Sequence, residues 1–320
     1  MKPFRLLFAL ILISCLAVSA SAATLLIPGG QVVGLELRDN TVTVAAIDEH
    51  LGAAARAAGL KEGDRILRID DTAISSAQDV RGALSKSDGQ VDISILRGTK
   101  TKRLTLCPTP TQNGPKLGVY LKQGATGIGT VTYYQPEEQK YAALGHGVNT
   151  PNGNLLQLTR GSIFSANVQT VKKGAIGAPG QLMGALTQPE PMGTIEKNMA
   201  QGVFGHINFA PKTEPLPAAE TSQIHTGKAT IRSTVSGDTL REYSVEILKI
   251  YPNAKDRCRN MLLKVTDPQL LETTGGIVQG MSGSPIIQDG KLIGAVTHVL
   301  VNDPTTGYGI FIENMLDAAA

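Results

Sequence analysis

Gly280-Met281-Ser282-Gly283-Ser284-Pro285 has the form G-x-S-G-x-P and sits inside a stretch, Gly275 to His298, that reads as two apolar strands around a glycine-rich turn. A serine hydroxyl is a weak nucleophile at neutral pH. It needs a base within hydrogen-bond reach, and that base needs a further group to hold its tautomer. The carbonyl it attacks becomes an oxyanion, which preorganised N–H donors must face; losing one such donor typically costs about 100- to 1,000-fold in rate. Glycines around Ser282 allow the turn to leave amides free. Ser282 is therefore the expected nucleophile, with the Gly280 and Ser282 amides as the expected oxyanion donors. Ser284 is the lesser choice, and the hexapeptide by itself also reads as a purely structural turn.

The base must come from five histidines. His50 lies in the N-terminal module, His298 on the apolar strand after the turn, and His225 behind the Pro-rich "APKTEPLPAAE". His146 in "YAALGHGV" and His206 in "VFGHIN" both follow apolar strands and stand beside glycine. An isolated histidine is more often packed or solvated than catalytic. The long interval between His146 and Ser282 suits a base from one β-barrel and a nucleophile from another, which favours His146. There is no C-x-x-C and no His/Cys cluster, so neither a metal nor another cofactor is expected.

These residues need a scaffold, and 320 residues with 42% hydrophobic content suit two globular domains. Residues 26–107 alternate short strands with two helices. Within them "AARAAGLKEGDRILRIDDTAISSAQDV" resembles the middle of a bacterial PDZ domain. The resemblance implies a groove that takes an extended peptide as an added strand and captures a terminal carboxylate on backbone N–H groups. The matching loop would be Val33, Gly34 and Leu35 of "VVGL". "CPTPTQNGPK" places a linker at 108–116. From 117 to 320 short β-rich stretches alternate with Gly and Pro turns, among them a hairpin around Ser236-Gly237-Asp238. That pattern predicts an all-β barrel or sandwich pair.

The first 22 residues have the order of an export signal: Lys2 and Arg5, an apolar run, then Ala20-Ser21-Ala22. An uncleaved N-terminal anchor is the alternative, and either puts the remainder outside the cytoplasm. No basic stripe interleaves with aromatics and Trp is absent, so nucleic acid is not an expected partner. Cys107 and Cys258 lie far apart in sequence and read as two unrelated core residues, although export would permit them to pair.

The nucleophile segment is similar to that of chymotrypsin-like proteases, G-x-S-G-G-P, with Ser284 at the second glycine. More closely, "IPGGQVVGLEL", the PDZ segment, "AALGHGV" and "TGGIVQGMSGSPIIQDGKLIGAVTHVLVNDPTTGYGIFIENML" together resemble the SpoIVB peptidase family of endospore formers. That resemblance implies an N-terminal α/β PDZ domain followed by an all-β, chymotrypsin-like double-barrel serine endopeptidase. It implies secretion from the forespore into the space between its two membranes. There the enzyme would cut itself and a membrane-anchored regulator of an intramembrane protease, leading to activation of a late mother-cell sigma factor. It assigns Ser282 as nucleophile, His146 as base and Asp267 as acid. Asp267 precedes Pro268 and reads equally as a turn former; Asp238 and Asp256 are weaker substitutes. A non-catalytic PDZ scaffold is the rival from another class.

Overall fold

A computed structural model describes residues 24–209 and 211–320; the export or anchor reading of residues 1–22 lies outside the described residues. Strands β1 (Leu25–Pro28) and β2 (Val32–Ile47) open the chain. After a short helix, Ala53–Ala57, come β3 (Arg65–Ile69), β4 (Thr72–Ala73), the helix Ala77–Ser85, β5 (Val91–Arg97) and β6 (Lys100–Leu106). The second helix starts where the sequence says it should: the Ser76 hydroxyl accepts from the Asp79 amide at 3.1 Å, filling one of the donors that a helix N-terminus leaves unpaired. Its Val80 and Leu84 pack on Val42, Val44, Ile66, Ile69, Ile93 and Ile95, which form the core of this module. The "GLKEGDR" turn is closed by Arg97. Its Nε and Nη2 reach the two oxygens of buried Asp64, both at 2.6 Å, and Nη2 also donates to Gly59 O at 2.7 Å. Such a bidentate pair fixes direction as well as distance.

The chain continues through β7 (Val119–Gln135), β8 (Lys140–Ala143), β9 (Arg160–Lys172) and β10 (Gln181–Leu186). Four short strands follow: β11 (Gly193–Ile195), β12 (Lys197–Met199), β13 (Gly202–His206) and β14 (Leu216–Pro217). Then β15 (Gly227–Thr234), β16 (Leu240–Ile250), β17 (Met261–Val265), β18 (Pro285–Gln288), β19 (Lys291–Leu300) and β20 (Asp303–Phe311) close a barrel in the order β15-β16-β17-β20-β19-β18. The predicted hairpin is β15–β16, with Thr234 opposite Leu240 and Gly237 at φ +56° in its turn. Alternate residues of these strands, among them Ile231, Val245, Ile247, Leu263, Ile286 and Val296, fill the barrel with apolar side chains.

The architecture is thus a small α/β module, as the PDZ resemblance implies, followed by an all-β domain with a six-stranded closed barrel. Among the described residues, the other half of the all-β domain is not a second separate closed barrel but part of a branched 14-stranded sheet that also carries the strands of the first module. Two strands are common to both. In β2, Val33–Arg38 pair with β9 and Val32–Leu37 with β7, whereas Val42–Ile47 pair with β7 and, at Val42 and Thr43, with β3. The register breaks between Leu37 and Val42 opposite Gly124, which sits at φ +74°; a Cβ there would lie 1.8 Å from Leu37 O, so the crossing demands glycine. Residues 108–116, expected as a linker, form a closed turn: Thr109 and Lys116 exchange backbone hydrogen bonds at 2.8 and 3.0 Å, and Thr109 Oγ1 donates to Leu51 O.

Candidate active site

The helix Pro268–Thr274 ends at Gly275, in the left-handed conformation, and hands the chain to the G-x-S-G-x-P turn ahead of β18. Each carbonyl from Gln279 to Ser282 has a donor. Leu182 N–H reaches Gln279 O at 2.8 Å, and Thr130 Oγ1 reaches Gly280 O at 2.7 Å. Ser284 N–H and Oγ reach Met281 O at 3.0 and 2.7 Å, and Thr130 N–H reaches Ser282 O at 3.1 Å. The amides of Met281, Gly283 and Ser284 are also spent, on Val278 O, Val296 O and Met281 O. Those of Gly280 and Ser282 have no intramolecular acceptor among the described residues. Both residues are half-buried, and two unpaired amides beside a serine hydroxyl are the kind of donor that an oxyanion needs. Gly283 adopts φ +98°, and a Cβ on it would come within 2.1 Å of Thr130 O and 2.6 Å of Leu144 N; the turn packs directly on the β7–β8 backbone.

His146 leaves β8 through Leu144 (φ +71°) and Gly145 (φ +67°), two consecutive left-handed residues that swing the next side chain off the strand. Its Nδ1 lies 3.0 Å from Gly147 O. A carbonyl only accepts, so this contact assigns the proton to Nδ1 and leaves the lone pair on Nε2. Burial holds the His146 pKa below the usual histidine range, partly opposed by that hydrogen bond. The His298 ring stands beside it, centroids 5.2 Å apart and tilted by 41°. Burial, then the charges of His146 and Arg259, push His298 down to about 4. Ser282 Oγ donates to Thr297 O at 2.8 Å. Ser282, His146 and His298 line one cleft of about 550 Å³, whose walls include Leu35, Ile128, Leu144, Val278 and Val299 and no Asp, Glu, Lys or Arg.

The structure brings Ser282, His146, Gly280 and His298 to that cleft; Asp267 is not among them. Asp267 caps the helix Pro268–Thr274, with Oδ1 accepting from Leu270 N at 3.0 Å and Oδ2 from Ser244 N at 3.3 Å. Its carboxylate is committed to backbone amides, and the His146 Nδ1 that the expected acid would accept from is bonded to Gly147 O instead. Neither substitute lines the cleft: Asp238 sits at the β15–β16 turn, and Asp256 accepts from the Cys258 and Arg259 amides. His206 is exposed and pairs with Glu196, Nδ1 to Oε1 2.7 Å. Ser284 is wholly buried, its hydroxyl spent on Met281 O and Ser233 Oγ.

The carboxylate-loop reading of Val33, Gly34 and Leu35 needs correction. All three lie in β2, paired with Gly129, Ile128 and Gly127 on one edge and with Ser165, Phe164 and Ile163 on the other, so no amide edge remains for a peptide. Leu35 instead forms part of the cleft wall. The open PDZ edge is the start of β7: Val119–Gln123 pair with β2 alone, directly after Leu117 and Gly118, the latter at φ +68°. Its signal in the sequence is "KLGVYL", an apolar–Gly–apolar entry to a strand, just past the proline-rich segment. Thr130 and His298 also escaped assignment; their only sign was a polar residue inside an apolar β-run. Cys107 and Cys258 are both free, one exposed and one buried.

Comparison with known proteins matches residues 113–316 to the family described as SpoIVB peptidase S55 and residues 32–107 to the PDZ domain. Mitochondrial serine protease HTRA2 of Drosophila virilis is 38% identical over 58 residues, which span 18% of this chain and only 14% of that protein. Among solved structures, the PDZ domain of the SdrC-like protein Lmo2051 of Listeria monocytogenes shares 26% identity, covering 26% of this chain and 87% of that one, with a TM-score of 0.22. The active form of the Rv3671c protease of M. tuberculosis shares 13% identity, covering 61% of this chain and 73% of that one, with a TM-score of 0.38.

Proposed function

The chain belongs to the SpoIVB peptidase S55 family and is a serine protease, and from that premise we propose that Ser282 and His146 carry the chemistry with the Gly280 and Ser282 amides as oxyanion donors. The Ser282 hydroxyl turns from Thr297 O to His146 Nε2 by rotation about χ1 and attacks the scissile carbonyl carbon. Its proton passes to Nε2 while the carbonyl oxygen takes the negative charge. Gly147 O, already bonded to Nδ1–H, holds the ring through this step and faces the imidazolium that forms. Collapse of the tetrahedral species expels the amine with the proton from Nε2 and leaves an acyl-enzyme on Ser282 Oγ. Water then repeats the sequence and frees the acid. His298, its own pKa pushed far down, stays neutral beside the imidazolium and adds no second positive charge.

The single observation that carries this reading is the turn itself: four tethered carbonyls and two unpaired amides around an accessible serine, in one cleft with a half-buried histidine. The charge-free, apolar cleft fits an extended peptide with neutral, apolar side chains at the cut. A peptide adding a strand to Val119–Gln123 is the occupant of the PDZ edge, because among the described residues that stretch pairs on one side only, with β2. Family membership and the order of segments in the sequence support an exported enzyme of the forespore intermembrane space. It cleaves itself and a membrane-anchored regulator of an intramembrane protease, and so signals for late sigma-factor activation.

Intact mass over time of protein lacking residues 1–22, with and without Ser282→Ala and with a fluorophosphonate probe, tests the chemistry. Fragments and a probe adduct are expected only with Ser282 present. An adduct on the folded Ser282→Ala protein overturns the assignment.

A further inference from the structure

We propose that Thr130 is the positioning residue of the oxyanion site, an inference that rests on the assignment of Ser282 and its amide above. Thr130 is wholly buried on β7, and its three polar groups all serve the site. Its hydroxyl donates to Gly280 O at 2.7 Å, its amide to Ser282 O at 3.1 Å, and its carbonyl accepts from Leu144 N at 3.2 Å, two residues before His146. One residue therefore ties the nucleophile turn to the base loop.

The consequence follows from peptide planarity. The Ser282 amide belongs to the peptide unit between Met281 and Ser282. The units on either side of it, 280–281 and 282–283, each have their carbonyl held by Thr130. The central unit, whose own carbonyl is held by Ser284, then cannot rotate without breaking one of those bonds. Gly280, at φ +99° and without a side chain, has no steric bar of its own to rotation of the adjoining peptide, so hydrogen bonds must supply the hold, and the two from Thr130 add to those the turn makes through Val278 O and Ser284. A hydrogen-bond donor aimed in advance at the developing charge is what lowers the barrier, and a donor free to swing loses that advantage.

Thr130→Val keeps the shape and removes the hydroxyl; Thr130→Ser keeps the hydroxyl and removes a methyl. Hydrolysis of an N-acyl-leucine p-nitrophenyl ester by the protein lacking residues 1–22 reads kcat and KM separately. Thr130→Val should lower kcat by about 10- to 100-fold at unchanged KM, somewhat less than loss of a donor itself. Thr130→Ser should restore kcat to within about threefold of the unmutated protein. Thermal melting accompanies both. If valine unfolds the chain, Thr130→Cys against Thr130→Ser gives the same contrast, since a thiol is only a weak donor. The proposal fails if the hydroxyl-deficient variant matches the unmutated protein in kcat, or loses only in KM, or if Thr130→Ser is as impaired as its partner at equal melting temperature. Absence of fluorophosphonate labelling in the unmutated chain would sink the Ser282 assignment instead, and is scored separately.

Discussion

Ser284→Ala separates the two serines of the turn. The Ser284 hydroxyl lies 2.7 Å from Met281 O and 3.1 Å from Ser233 Oγ, and Ser233 and Ser284 are both wholly buried. Removing it leaves Met281 O with the Ser284 amide, but leaves the Ser233 hydroxyl with no partner among the described residues. A buried polar group stranded this way costs about 1–3 kcal/mol. At roughly 2–4 °C per kcal/mol for a domain of this size, the melting midpoint should fall by about 2–12 °C. Ser233→Ala combined with Ser284→Ala removes both hydroxyls and should lose less than the two single changes added together, by about 0.5–3 kcal/mol. Because Ser282 and its amide stay in place, a fluorophosphonate should still label the Ser284→Ala protein. Melting curves for the four proteins of this cycle and labelling of each supply the measurement. Strictly additive losses would refute the stranded-hydroxyl argument, and loss of labelling at an unchanged melting point would make Ser284 the nucleophile.

Asp267→Ala should behave as the loss of a helix cap, lowering stability by about 0.5–2 kcal/mol and leaving the labelling rate within a few fold; a fall of about 10⁴ in kcat, the scale for disabling a triad acid, would return Asp267 to the machinery. The acid limb of kcat/KM should have its midpoint below the ordinary histidine value of about 6.5, because burial lowers the His146 pKa and the base must be neutral to work; a midpoint at or above that value contradicts the burial argument. The same shifts act on stability. Unfolded histidines bind protons below about pH 6.5, whereas His298 in the folded chain does so only near 4, so stability should fall as pH drops through that window. Urea titrations from pH 7.5 to 4.5 read it directly.

The parts of the site that were legible in the sequence are those whose signal is local. G-x-S-G-x-P announces a turn, and glycine beside His146 announces a chain leaving a strand. Asp267 was drawn toward the site by resemblance, yet its own neighbourhood, Asp-Pro ahead of "QLLETT", carries the signature of a helix start with proline in the first turn, and that local signal prevailed. Val33–Leu35 failed for a different reason. A strand with two paired edges and a strand with one show the same alternation, so the sequence could not show that β9 covers the edge of β2 while the start of β7 stays open. Thr130 lies deepest: in "GTVTYY" it looks like any residue of a buried strand, and what distinguishes it is a bond to a carbonyl 150 positions away.

That distance also explains why PDZ and protease are not separable cassettes. β7 presents the open peptide edge at Val119–Gln123, lines the cleft from Ala125 to Ile128, holds the nucleophile turn at Thr130 and pairs with β8 on the way to His146. β2 runs beside it for most of that course, and its first half lies between β7 and β9 inside the protease sheet. A cut at residue 107 would therefore strip Val32–Arg38 from the protease. It would bare the edges of both neighbours and remove Leu35 and Leu37 from the cleft wall. The module that would receive a peptide and the turn that would stabilise an oxyanion are thus held on one hydrogen-bonded strand, with Gly124 marking the place where it passes from one to the other.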